Sequence, residues 1–175
     1  LPVSKSEIYT SKVLTAIITL LTSFVVIALS LAICCLNKET WESFKITLEQ
    51  SAIYFDCSVS SLIITLIATI FFEFLFMIMT GILGIVIGHR SNNLKIIKSI
   101  IYGFVIYMIL SAISLGIIYI SGLINSDIMS IFNNIEVSSN AMKSTAIIGI
   151  VIYAIYSIGI YFIGNKLLNK GVNVD

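Results

Sequence analysis

Glu73 stands inside an apolar run, in Phe71-Phe72-Glu73-Phe74-Leu75-Phe76. A carboxylate there can hold a cation or a polar substrate, or take up and release a proton. A charge at that depth costs roughly 2.5–3.5 kcal/mol, so such residues usually face a bundle interior or a wet cavity. Three readings are open for Glu73: contact with a substrate or ion, a protonated or hydrogen-bonded contact between helices, or a place nearer the membrane interface. Tyr153, Tyr156 and Ser157 fall at i, i+3 and i+4. In a helix these positions share a face. That polar stripe either lines a path for a substrate or forms a seam between helices.

Other reactive groupings are missing from the sequence. The one histidine, His89, sits beside Arg90, so there is no paired-His metal site. There is no Ser/His/Asp grouping and no cluster of carboxylates within an apolar run. Cys34, Cys35 and Cys57 show neither Cys-x-x-Cys nor Cys/His ligand spacing, which argues against a metal. They are either buried or interfacial free thiols or, on an oxidising side, a bridge from Cys34 or Cys35 to Cys57. The stretch Thr80–Gly88 lacks the Gly-Lys-Ser/Thr ending of a phosphate-binding loop. The expectation is a protein that is not an enzyme, with no catalytic residue, metal or cofactor.

Four apolar runs must position these residues: Thr15–Leu36, Ser61–Ile87, Ile100–Leu123 and Thr145–Leu168. About 20 apolar residues in a helix cross the hydrocarbon core. No water there satisfies backbone groups, so such runs must be helical. The composition agrees, with 58% hydrophobic and 11% charged residues, against roughly 25% charged in soluble domains. The predicted fold class is all-α, a polytopic transmembrane protein with four spanning helices. Residues 1–175 read as a single transmembrane domain. A net charge of +1 argues against a nucleic-acid partner. Membrane lipid is the expected surroundings.

Lysine and arginine mark the cytoplasmic side when counted in short loops. Lys5, Lys12, Arg90, Lys95, Lys98, Lys166 and Lys170 fall on one side, and Lys38, Lys45 and Lys143 on the other. Glu39, Glu42, Glu49, Asp56, Asp127 and Glu136 all fall on the lysine-poor side. This predicts a multi-pass protein of the cell membrane with cytoplasmic N- and C-termini. The 37–60 and 124–143 loops, the latter with Asn133-Asn134, would face outward.

Ser4 and Glu7 have capping-box spacing, so a helix is predicted to start at Ser4. Over residues 1–14, a short amphipathic cytoplasmic helix would put Ile8 and Tyr9 on the apolar interface and Lys5 and Lys12 in water. The alternative is that these are the first turns of the first span. Trp41, Phe44 and Leu48 follow helical spacing, which suggests an outer interfacial helix anchored by Trp41. The second span is longer than a bilayer requires and is expected to tilt or break. Gly84 and Gly88, and Ala112 and Gly116, are pairs of small residues four apart, spaced for close helix packing.

The opening Leu1-Pro2-Val3-Ser4-Lys5-Ser6-Glu7-Ile8-Tyr9-Thr10-Ser11-Lys12 resembles a cytoplasmic segment of ABC-2 type transporter permeases. Two further features look similar: the loop Gly88-His89-Arg90 through Lys95 and Lys98-Ser99, with Gly103 behind it, and the short basic tail from Lys166 to Asp175. The resemblance implies a six-span permease of which this chain would hold spans three to six. An opening on Leu1 instead of Met fits that expectation. It implies a partner ATPase that hydrolyses ATP, and a second permease half in a homo- or heterodimer. Ser4, Lys5, Glu7, Ile8, Tyr9 and Lys12 would then couple the permease to the ATPase. The expected function is a permease subunit of an exporter. The alternative is a membrane protein without transport, serving assembly, immunity or sensing.

Overall fold

The computed structural model describes residues 4–91, 93–133 and 137–170, and among these there are helices and turns but no strand. Leu1, Pro2 and Val3 of the opening segment, Asn134 and Glu136 of the 124–143 loop, and the tail beyond Lys170 lie outside the described residues. Six helices follow one another: α1 (Lys5–Cys34), α2 (Lys38–Tyr54), α3 (Val59–Gly88), α4 (Lys95–Ile124), α5 (Ser126–Met129) and α6 (Ser139–Asn169). Of these, α1, α3, α4 and α6 are long and apolar enough to cross a membrane. Each has 30 or 31 residues, about 45 Å at 1.5 Å per residue. That exceeds a hydrocarbon core of about 30 Å, so their polar ends can reach the headgroups.

Helix α1 begins where the capping box predicts. The Ser4 hydroxyl accepts from the Glu7 backbone N–H at 3.2 Å, and the Ser4 N–H donates to Glu7 Oε2 at 2.8 Å. No glycine or proline interrupts the sequence from there to Cys34, and the helix runs unbroken. The opening segment is thus the first turns of the first span and not a separate helix. Replacing Ser4 with alanine is expected to remove about 1 kcal/mol of capping. Amide exchange at Glu7 and Ile8 should rise about fivefold while exchange beyond Val13 stays unchanged.

The helix predicted around Trp41 forms as α2, capped by Asn37 Oδ1 accepting from Glu39 N–H at 3.1 Å. Its Trp41 and Phe44 rings lie 6.2 Å apart and exposed. The second span, α3, does not break: its glycines are absorbed into a continuous helix. Of those glycines, Gly84 and Gly88 are closely approached by α4, and Gly81 is not.

Helix α3 is the centre of the bundle. Phe76, Met79, Leu83 and Val86 form one stripe of the core, joined by Tyr9 and Val13 from α1 and Ile160 from α6. Thr80, Gly84 and Gly88, four residues apart, are buried on a second stripe. There the α4 backbone comes close. A Cβ added at Gly84 would stand 2.5 Å from Gly103 Cα, and one at Gly88 would stand 2.6 Å from Ser99 Cα. Buried hydroxyls along this contact bond to their own helix: Thr80 Oγ1 donates to Met77 O at 2.8 Å and Ser99 Oγ to Lys95 O at 2.7 Å. They add little bulk and leave no donor orphaned.

Contacts fix which segments share an end. At one end the start of α1 meets the end of α6, with Thr10 Oγ1 2.9 Å from Tyr161 Oη, while Gly88 meets Ser99 where the α3–α4 turn closes. That turn carries Leu94 in left-handed conformation, at φ 57°. At the other end Lys143 Nζ donates to Asp56 O at 2.9 Å and Tyr54 Oη to Val137 O at 3.2 Å. The segments rich in lysine and arginine are therefore gathered at one end of the bundle.

Candidate functional site

Two places assemble the residues singled out by sequence. The first is the start of α1. Ser4, Lys5, Glu7 and Lys12 are exposed, and Ile8 is 44% exposed. The Ser4 hydrogen bonds hold the exposed Glu7 carboxyl below the usual carboxylate range, with the backbone N–H contributing most. Tyr9 departs from the expected surface position. It is 2% exposed, because α6 returns to cover it. Its ring lies 5.7 Å from that of Tyr161, and its Cζ stands 2.7 Å from where a Gly164 Cβ would be. Only a glycine at 164 leaves room for that ring. The Tyr9 hydroxyl is buried without a hydrogen-bond partner.

Lys5, Ile8, Tyr9 and Lys12 follow i, i+3, i+4 and i+7, a single stripe along α1. They line a cavity of about 200 Å³ together with Ile82, Ile85, Val86 and His89 of the α3 end and Leu168 of α6. His89 caps α3, and its Nδ1–H donates to Ile85 O at 2.9 Å. Sequence alone places His89 in a loop; the structure brings it beside residues of α1 some eighty positions earlier. Ser4 and Glu7 lie on a neighbouring, open face of α1 with Ser11. The six residues of the opening segment thus divide between an inward stripe and an outward one.

The second place is within the spans. Phe76 is fully buried and is ringed by Tyr107 at 5.5 Å, Tyr153 at 5.0 Å in a stacked arrangement, and Tyr156 at 5.7 Å. Tyr153 and Tyr156 thus meet α3 on one seam. Ser157 is buried and its hydroxyl donates to Tyr153 O of its own helix at 2.8 Å. The Tyr156 hydroxyl is buried and has no partner. Glu73 is exposed on α3, within electrostatic reach of Tyr153. The arrangement is an aromatic packing centre with a carboxylate at its edge. Phe76 and Tyr107 carry no motif that would have paired them with Tyr153.

The small-residue pairs differ. Gly84 and Gly88 pack against α4, as described. Ala112 and Gly116 are exposed, and a Cβ at Gly116 would meet nothing within 4 Å, so this pair packs on no part of the described chain. The three cysteines are free thiols. Among the described residues no group of three His, Cys, Asp or Glu side chains is placed to hold a metal ion. Comparison with protein families, curated proteins and solved structures finds no match to the chain.

Proposed function

We propose that this four-span membrane protein is the permease part of an ATP-binding-cassette exporter, one half of a permease pair driven by a partner ATPase. The observation that carries the reading is the continuity of α1. Its capped, polar first turns and its apolar span are one rigid rod from Lys5 to Cys34. A push on the first turns would tilt the whole span. The resemblance of Leu1–Lys12 to the ABC-2 permease segment supplies the source of the push. In this reading the lysine-rich end faces the cytoplasm of the cell membrane, as the excess of positive charge there favours. The ATPase meets the open face with Ser4 and Glu7, while Tyr9 faces inward and passes the motion to α6.

The test uses the full-length protein in native membranes, with Cys34, Cys35 and Cys57 removed and one cysteine placed at Glu7. Glu7 is exposed, so the substitution gives up its contact with the Ser4 N–H but disturbs no buried side chain. A crosslink to an ATPase that changes with nucleotide is the expected result. If the labelled, expressed protein gives no such adduct, the transport reading is lost, and a membrane protein of assembly, immunity or sensing takes its place.

A further inference from the structure

Glu73 stands at the midpoint of α3, about 21 Å from either end at 1.5 Å per residue. Its short side chain cannot reach a headgroup layer from there. Among the described residues it is the one charged side chain deep within a span. It is exposed, and it makes no hydrogen bond or ion pair with another described residue. A carboxylate at that depth calls for a counterpart, and the described spans carry no base at the same level.

One turn along α3 from Glu73, a groove of about 520 Å³ begins at Met77 and follows the α3–α4 contact. Met77, Thr80, Gly81, Gly103, Phe104 and Tyr107 help to line it, and no charged side chain does. Gly81 keeps it open, since a Cβ there would meet nothing within 4 Å. Glu73, Met77, Thr80 and Gly84 fall at i, i+4, i+7 and i+11, so the carboxylate shares the face of α3 that the groove uses. The Tyr107 ring of the groove also rests on Phe76, as does Tyr153, which lies within electrostatic reach of Glu73. The result is an apolar trough with aromatic walls and one negative charge at its end.

A metal ion would need several oxygen ligands, and among the described residues no group of three His, Cys, Asp or Glu side chains supplies them. A second copy of the chain would bring no base at this depth. A small organic molecule fits a volume of this size. A cation set in hydrocarbon enters from the lipid, pairs with the carboxylate and lies against aromatic faces. We propose that the groove between α3 and α4 binds a lipophilic organic cation, whose charged centre meets Glu73 while Phe104 and Tyr107 hold its hydrocarbon. That such a cation is the exported cargo rests on the transport reading; the binding does not.

The full chain is purified in detergent, and binding of radiolabelled tetraphenylphosphonium is measured by equilibrium dialysis beside tetraphenylborate, an anion of the same shape. Saturable binding of the cation is expected, with at least about a thirtyfold loss of affinity in Glu73→Gln. Gly81→Leu grows a side chain into the open groove and should weaken binding about tenfold. Glu73 is exposed and holds no bond to another described residue, so its variant keeps the fold. Equal binding of the anion would overturn the proposal, since the groove would then read only shape. So would unchanged affinity in Glu73→Gln, or displacement of the probe by millimolar calcium, which assigns the carboxylate to an inorganic ion. The absence of saturable binding would overturn it too, leaving a partner helix with a base at mid-depth as the counterpart of Glu73. The Glu7 crosslink is read separately, so loss of the transport reading and loss of this site are distinct results.

Discussion

Replacing Gly84 with leucine is expected to separate α3 from α4 and leave no stable bundle. The would-be Cβ stands 2.5 Å from Gly103 Cα and N and 2.6 Å from Ser99 O. All three are backbone atoms, so no side-chain rotation can relieve the clash. Even Gly84→Ala forces the helix axes apart along the contact, and overpacking of that kind costs about 1–3 kcal/mol. Gly88, one turn on, is equally closed by Ser99 N and Cα, so the seam cannot pivot away. Gly81→Ala is the control from the preceding turn, because its Cβ would meet nothing within 4 Å. It should be neutral or slightly stabilising, since alanine is the better helix former. Unfolding by SDS titration in micelles ranks the variants. A Gly84→Leu protein as stable as the parent would refute the α3–α4 contact.

The second large effect is expected at Phe76. In water the loss on truncation combines hydrophobic transfer with the cavity left behind. Between spans the transfer part fades, because lipid tails are as apolar as the interior. What remains is the cavity. Phe76→Ala removes about 100 Å³ of side chain, which at about 24 cal/mol per Å³ is about 2.4 kcal/mol. Phe76→Leu should lose much less. The near-ultraviolet circular dichroism of the tyrosines is the specific readout, since Tyr107, Tyr153 and Tyr156 all rest on this ring. Their signal should fall in Phe76→Ala even where helix content is unchanged. An unaltered tyrosine signal would mean that the aromatic centre does not depend on Phe76.

The elements of this fold are legible in the sequence for simple reasons. A run of some twenty apolar residues has one solution in a bilayer, so the four expected spans fall within α1, α3, α4 and α6, apart from Cys35 and Leu36 beyond the end of α1. Ser4 and Glu7 announce a helix start through chemistry confined to four residues. Faces are harder to read. In a soluble helix the apolar stripe marks the core, but in a spanning helix both lipid and core are apolar. Tyr9 shows the result: polar tip and position suggest the surface, yet it is buried by Gly164, some 150 residues later. Gly84–Gly88 and Ala112–Gly116 have the same spacing, and only the first pair is closed by a neighbour. Spacing states that a helix can be approached closely and says nothing of which helix arrives. His89 joins the α1 cavity through tertiary packing, which no local pattern encodes.

The clasp between the start of α1 and the end of α6 sets a timetable on the ribosome. Tyr9 and Thr10 are made well before Tyr161 and Gly164. Thr10 and Tyr161 are 151 positions apart. At 5–20 residues per second, synthesis of that interval takes roughly 8 to 30 seconds. For that time the first span stands in the membrane with its inward tyrosine uncovered. Premature termination anywhere between α1 and α6 would yield a chain that inserts but cannot close, and such a remnant offers quality-control proteases an exposed aromatic on α1.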